Sequence, residues 1–102
     1  MLSLLTASQA QESIAKNLRT KRLGTGLTQA GLADRSGVSL PSLRRFEQSG
    51  NISLESLLKL LMTLNSLEQF VQSTEPISTE FSSIDDVLND KKKKTPKKGW
   101  RK

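Results

Sequence analysis

The sequence contains no cysteine, no histidine and no tyrosine. Without cysteine there is no disulfide framework, and without cysteine or histidine there is no zinc site of the usual kind. The commonest general acid–base side chain is missing too. A lack of cysteine also fits a reducing cytosol. Aromatic residues are scarce, 4% of the chain, and apolar residues of all kinds reach only 34%. That is a lean core, mostly leucine, of the sort that suits a small helical bundle. No apolar run approaches the ~18 residues that span a bilayer. The opening Met1-Leu2-Ser3-Leu4-Leu5 is apolar, but it lacks a basic flank and is too short for a secretory signal, so an ordinary N-terminus is expected. No phosphate loop of the form GxxxxGK[ST] is present. Asp85 and Asp86 are adjacent, which on a helix sets them about 100° apart rather than as a working carboxylate pair. An enzyme, a cofactor and a metal site are therefore not expected. The 102 residues allow one domain and a tail, with nothing that resembles a small-molecule sensing domain.

What is there is charge, unevenly spread. The chain carries a net +6. Residues 16–45 hold seven positive charges against Asp34 alone. Residues 46–90 hold Lys59 against eight acidic side chains, and residues 91–102 hold eight positive charges and no negative one. Clustered positive charge is the electrostatic footprint of a nucleic-acid binder. The acidic stretch should avoid phosphate and is free to serve another surface.

The periodicity is helical throughout, and no segment alternates like a strand. A first helix is expected from about Ala7 to Arg22, with Ile14, Ala15 and Leu18 inward, broken by Gly24 and Gly26. Thr28 is placed to cap a second helix that buries Leu32 and Ala33 and stops near Ser36-Gly37. Ser39 caps a third, with Pro41 tolerated in its first turn and an end near Glu47. Ser49-Gly50-Asn51 forms a loop, and Ser53 caps a fourth helix. Leu54, Leu57, Leu58, Leu61 and Leu64 give that helix a wide apolar stripe. A short fifth helix carries Leu67, Phe70 and Val71, and Pro76 marks a boundary. These elements predict an all-α fold: a five-helix domain over residues 1–74, an acidic extension over 75–90 with a short amphipathic helix from Ser83 to Leu88, and a flexible basic tail over 91–102.

Two spacings point to function. Ala33, Gly37 and Leu43 supply a small residue where two helices touch, a glycine for a tight turn, and an apolar contact back onto the preceding helix. With the caps Thr28 and Ser39, and with Val38 and Phe46 completing the apolar side, they read as two helices joined at a sharp angle. On the third helix Leu43 and Phe46 define the buried direction. The opposite face then carries Pro41, Arg44 and Arg45, with Ser39 and Leu40 at its leading edge. A helix that enters the major groove presents its N-terminal residues to base edges. Arginine pairs bidentately with guanine, and apolar groups meet the thymine methyl. Ser39, Leu40, Pro41 and Arg45 are thus candidates for base contact, Ser42 for phosphate, and Arg44 for phosphate or base. The competing reading is that the two arginines form a solvated face, which the adjacent apolar pair Leu40-Pro41 argues against. Gln29, in the first turn of the second helix, is either a phosphate ligand or a first-turn polar residue.

The run Leu27-Thr28-Gln29-Ala30-Gly31-Leu32-Ala33-Asp34-Arg35-Ser36-Gly37-Val38-Ser39 resembles the Xre-type, phage-repressor-like helix-turn-helix family. The resemblance extends from about Ile14 to Val71. It implies double-stranded DNA binding, a phosphate clamp at Gln29, and pairing of Arg22 with Glu47 across the first and third helices. The chain departs from the family at Ala30 and Gly31, where acidic residues are usual. Gly31 weakens its helix by up to ~1 kcal/mol relative to alanine. More narrowly, Phe46 to Leu60, Leu67-Glu68-Gln69-Phe70, Glu75-Pro76, Ser83 to Leu88 and the basic end are similar to HipB-type antitoxins. Those repress their own operon and bind a HipA-like Ser/Thr kinase toxin. The resemblance implies a bacterial, cytoplasmic, nucleoid-associated protein. The remaining alternative is a stand-alone Xre-type regulator with no toxin.

A single module contacts few base pairs, so a homodimer on a palindromic operator is expected. The Leu60, Leu64, Leu67 and Phe70 region is its candidate interface, shared with the monomer's own core, and Leu67 and Phe70 are the positions expected to serve both. The tail residues Lys97, Lys98, Trp100 and Arg101 leave three readings open: a DNA-backbone arm, a tryptophan anchor for a partner, or a solvated end.

Overall fold

The structure, a computed structural model, describes residues 4–77. Each of the first four helices begins where a hydroxyl stands ready to accept an orphan backbone N–H. Thr6 opens α1 (Ala7–Gly24), Thr28 opens α2 (Gln29–Ser36), Ser39 opens α3 (Leu40–Ser49) and Ser53 opens α4 (Leu54–Thr63). The fifth, α5 (Leu67–Ser73), follows Ser66 with no side-chain cap. No strand occurs among the described residues, and the architecture is all-α. The expected caps Thr28, Ser39 and Ser53 are in place. Thr6 was not anticipated, although the signal was present. Its hydroxyl accepts from the Gln9 N–H while the Gln9 side chain accepts from the Thr6 N–H, each at 3.0 Å.

Two helices outrun their expected ends. α1 continues two residues past Arg22 to Gly24, where Thr25 donates its N–H to the carbonyls of Lys21 and Arg22. α3 continues two residues past Glu47, and Gly50 then closes it at φ 85°. Of the two, only α3 is closed by a left-handed glycine, whereas Gly24 stays within α1 and that helix ends at Thr25 in right-handed backbone.

The core is built from Leu32, Leu43, Phe46 and Leu60, none more than 1% exposed, surrounded by Ala15, Leu18, Ala33, Val38, Leu57, Leu61 and Leu64. α1 packs on α3, α2 lies against both α3 and α4, and α4 carries α5. The stripe on α4 is rotated from the expected one. Leu57, Leu61 and Leu64 are buried as expected, but Leu60 is fully buried, Leu58 only half so, and Leu54 is 63% exposed at the helix start. Leu57, Leu60 and Leu61, with Leu64 at the C-cap, fill the core side of α4, and Leu54 at the helix start lies outside it. Leu60 and Leu64 therefore belong to the monomer core rather than to a subunit interface. Leu67 and Phe70 are half-buried against that core, and the exposed apolar groups beside them are Met62 and Val71. The acidic extension beyond residue 77 and the basic tail, including Lys97, Lys98, Trp100 and Arg101, lie outside the described residues.

Candidate nucleic-acid interface

The turn between α2 and α3 forms as the spacing predicts. Gly37 adopts φ 84° and donates its N–H to the Ala33 carbonyl at 3.0 Å. The Val38 N–H is satisfied by the Ser36 hydroxyl at 3.1 Å, and the Val38 side chain is buried. The two helices are thereby locked with few free dihedrals between them. Leu43 and Phe46 pin α3 to the core and so fix which of its faces looks out.

That outward face carries Pro41, Arg44, Arg45 and Gln48, all exposed. Pro41, Arg45 and Gln48 fall at i, i+4 and i+7, a single stripe along the helix. Gln48 lies in the last turn of α3, beyond the N-terminal residues from which base contacts are expected. The same seven-residue interval would have found it. Leu40 differs from expectation: it is half-buried and packs against the core, so only part of its side chain faces out. Ser39 differs as well. Its hydroxyl accepts the Ser42 N–H at 3.2 Å and donates to the Ser42 hydroxyl at 2.9 Å, because holding the helix start takes priority. Ser42 keeps its own O–H free to donate outward. Arg45 also borders a small polar cleft of about 280 Å³ shared with Ser42, Asn51 and the start of α4 at Ser53.

Away from the outward face of α3 lies a buried charge. Glu47 of α3 accepts from Arg22 Nε at 2.7 Å and from Arg22 Nη2 at 2.9 Å, a two-pronged pairing with α1. The pairing that the family resemblance implied is therefore present. The third donor of Arg22, Nη1, reaches the Leu27 carbonyl at 2.9 Å. The two side chains are 6% and 4% exposed. Burial pushes the Glu47 carboxyl up. Hydrogen bonds from Arg22 and Gln29, with the charges of Arg22 and Arg19, outweigh it and hold the group below the ordinary glutamate value of 4.5. Gln29 is half-buried, and its Nε2 donates to Glu47 Oε1 at 2.9 Å. A carboxamide nitrogen has two N–H bonds, so one remains for an outside acceptor. Arg19, 58% exposed, stands 3.9 Å from the same carboxylate and lines an open cleft of about 510 Å³ with Thr28 and Gln29.

The helix starts differ in charge. α2 and α3 have no acidic residue in the first turn, whereas α4 and α5 begin with Glu55 and Glu68. An uncompensated N-terminus favours an anion. The described residues hold no grouping of acidic side chains able to bind a metal ion, and no helix of theirs is long and apolar enough to cross a membrane.

A tight glycine turn, a capped and exposed third helix and a buried arginine–glutamate tie define a helix-turn-helix module. The chain belongs to the Xre-like helix-turn-helix family, whose family model, described as helix-turn-helix, matches residues 18–70 of 102. It is a DNA-binding transcription regulator of a family that is not typically enzymatic. No curated protein matches the chain.

Proposed function

We propose that this regulator is a repressor that reads a palindromic operator as a homodimer. More narrowly, we propose that it is the HipB-like antitoxin of a toxin–antitoxin operon, repressing its own promoter and holding a HipA-like Ser/Thr kinase toxin. One observation carries the DNA reading: Pro41, Arg45 and Gln48 stand in one exposed stripe on a helix whose opposite side is buried. In this reading Arg45 contacts base edges, Pro41 and the free part of Leu40 meet thymine methyls, and Ser39 touches the base edge through what its cap leaves open. Gln29, Ser42 and Arg44 hold phosphates and set the register. Leu67 and Phe70 sit at the two-fold contact, with Met62 and Val71 around them. Lys97, Lys98, Trp100 and Arg101 add backbone or partner contacts.

The antitoxin reading rests on the residue pattern from Phe46 to the basic end. Tagged protein recovered from its own cells tests it, with the eluate assayed on the promoter upstream of its gene. A co-purifying kinase-like protein with promoter binding retained supports the antitoxin. Promoter binding without a protein partner leaves a stand-alone regulator. Binding no tighter than to random duplex at moderate salt removes the recognition-helix argument.

A further inference from the structure

We infer that Glu47 is a positioning residue for DNA binding: its carboxylate fixes the Gln29 carboxamide so that an N–H faces outward before any phosphate arrives. The inference rests on the reading of Gln29 as a phosphate ligand and adds what prepares it for that role.

A free glutamine on a helix surface rotates about three side-chain bonds, and its amide presents oxygen or nitrogen equally well. An anionic phosphate oxygen needs an N–H, so half of those orientations are wrong. Here the choice is made by chemistry. Glu47 is held ionised by Arg22 on α1, and an ionised carboxylate only accepts. Its Oε1 therefore selects the nitrogen end of Gln29, at 2.9 Å, and the carbonyl end turns away. The second Nε2–H is left to point at whatever lies beside the start of α2. Gln29 Nε2 makes no second hydrogen bond among the described residues, so that N–H remains for an outside acceptor.

The arrangement also ties the contact to the rest of the module. Glu47 sits on α3, Arg22 on α1 and Gln29 on α2, so one carboxylate references the phosphate donor to the helix that reads bases. A donor already held in place avoids the ordering cost that a mobile side chain meets on binding. Glu47 touches no nucleic acid in this scheme and acts wholly through its neighbour.

A double-mutant cycle tests the idea. The probe is a duplex selected from a random-sequence pool by the full chain, titrated at several salt concentrations. Gln29→Ala is expected to weaken binding about tenfold in the wild-type background, the scale of one hydrogen bond to a charged group. In the Glu47→Gln background the same change is expected to cost less than about threefold, because the amide is no longer held. Equal tenfold losses in both backgrounds overturn the positioning role while leaving Gln29 as a ligand. No loss in either background overturns it by removing Gln29 from the interface. Arg45→Ala on the same duplex judges the DNA reading separately. A second measurement does not depend on Glu47→Gln folding. In the DNA-free wild type, the Gln29 side-chain amide protons are expected to resonate away from random-coil positions and to exchange slowly. Random-coil shifts with fast exchange overturn the inference.

Discussion

At the scale of single residues, Arg45 and Arg44 are neighbours in sequence with different expected fates. Both are exposed and lie about equally far on either side of the line from Pro41 to Gln48, and in the proposed function Arg45 meets a base edge and Arg44 a phosphate. Arg45→Ala is expected to cost ~1–3 kcal/mol on the selected duplex and to relax discrimination at one base position. Arg44→Ala is expected to weaken all duplexes alike and to flatten the salt dependence. Competition binding against single-base variants of the site distinguishes the two patterns. Glu47 gives a pH prediction with a definite sign. Its folded carboxyl titrates below 4.5, so it contributes stability that is full above that value and is lost as pH falls through the folded one. The urea midpoint of the wild type should decline below about pH 4.5, and Glu47→Gln should start lower and fall less steeply. Parallel declines for both proteins would place the acid sensitivity elsewhere.

At the scale of helices, two glycines that look alike differ in cost. Gly37 and Gly50 both adopt left-handed backbone, φ 84° and 85°, at the two ends of the stretch that contains α3. A Cβ on Gly37 meets nothing within 4 Å, whereas on Gly50 it lies 2.9 Å from the backbone of Gln11 on α1. Gly37→Ala should lose about 1 kcal/mol from the backbone term alone, and Gly50→Ala about 3 kcal/mol because α1 must also move. Chemical denaturation of the two variants checks the ratio. This contrast also marks what could be read beforehand. The requirement for glycine at position 37 was legible, since local turn chemistry fixes it. The reason for glycine at position 50 was not, because it depends on α1, distant in sequence and adjacent only after folding. The same division holds elsewhere. Caps at Thr28, Ser39 and Ser53 follow from near neighbours and were legible, as was the buried side of α3. The burial of Leu60, the exposure of Leu54 and the hydrogen bond from Gln29 to Glu47 follow from how helices rotate against one another, which periodicity alone does not set. The pairing of Arg22 with Glu47 came from family likeness and not from spacing.

At the scale of the whole molecule, the exposed apolar groups Met62 and Val71 border half-buried Leu67 beside α5 in an open pocket of about 590 Å³. If the proposed homodimer meets there, Val71→Asp should leave the monomer's melting temperature nearly unchanged, because the residue is half exposed already. It should shift sedimentation from dimer to monomer at micromolar concentration. An unchanged sedimentation coefficient would put the two-fold contact on another surface. Charge is partitioned along the described chain. α1 to α3 carry seven basic side chains against three acidic, while residues 50–77 carry Lys59 against Glu55, Glu68 and Glu75. A body with its positive and negative centres displaced in this way has a permanent dipole moment. Near a duplex, whose field points inward everywhere along its length, that dipole feels a torque before any atoms touch. Within the described residues this favours approach to the polyanion with α1 to α3 leading, so a larger share of collisions begins in the right orientation. The association rate should consequently fall with added salt faster than net charge alone requires, while the dissociation rate changes less.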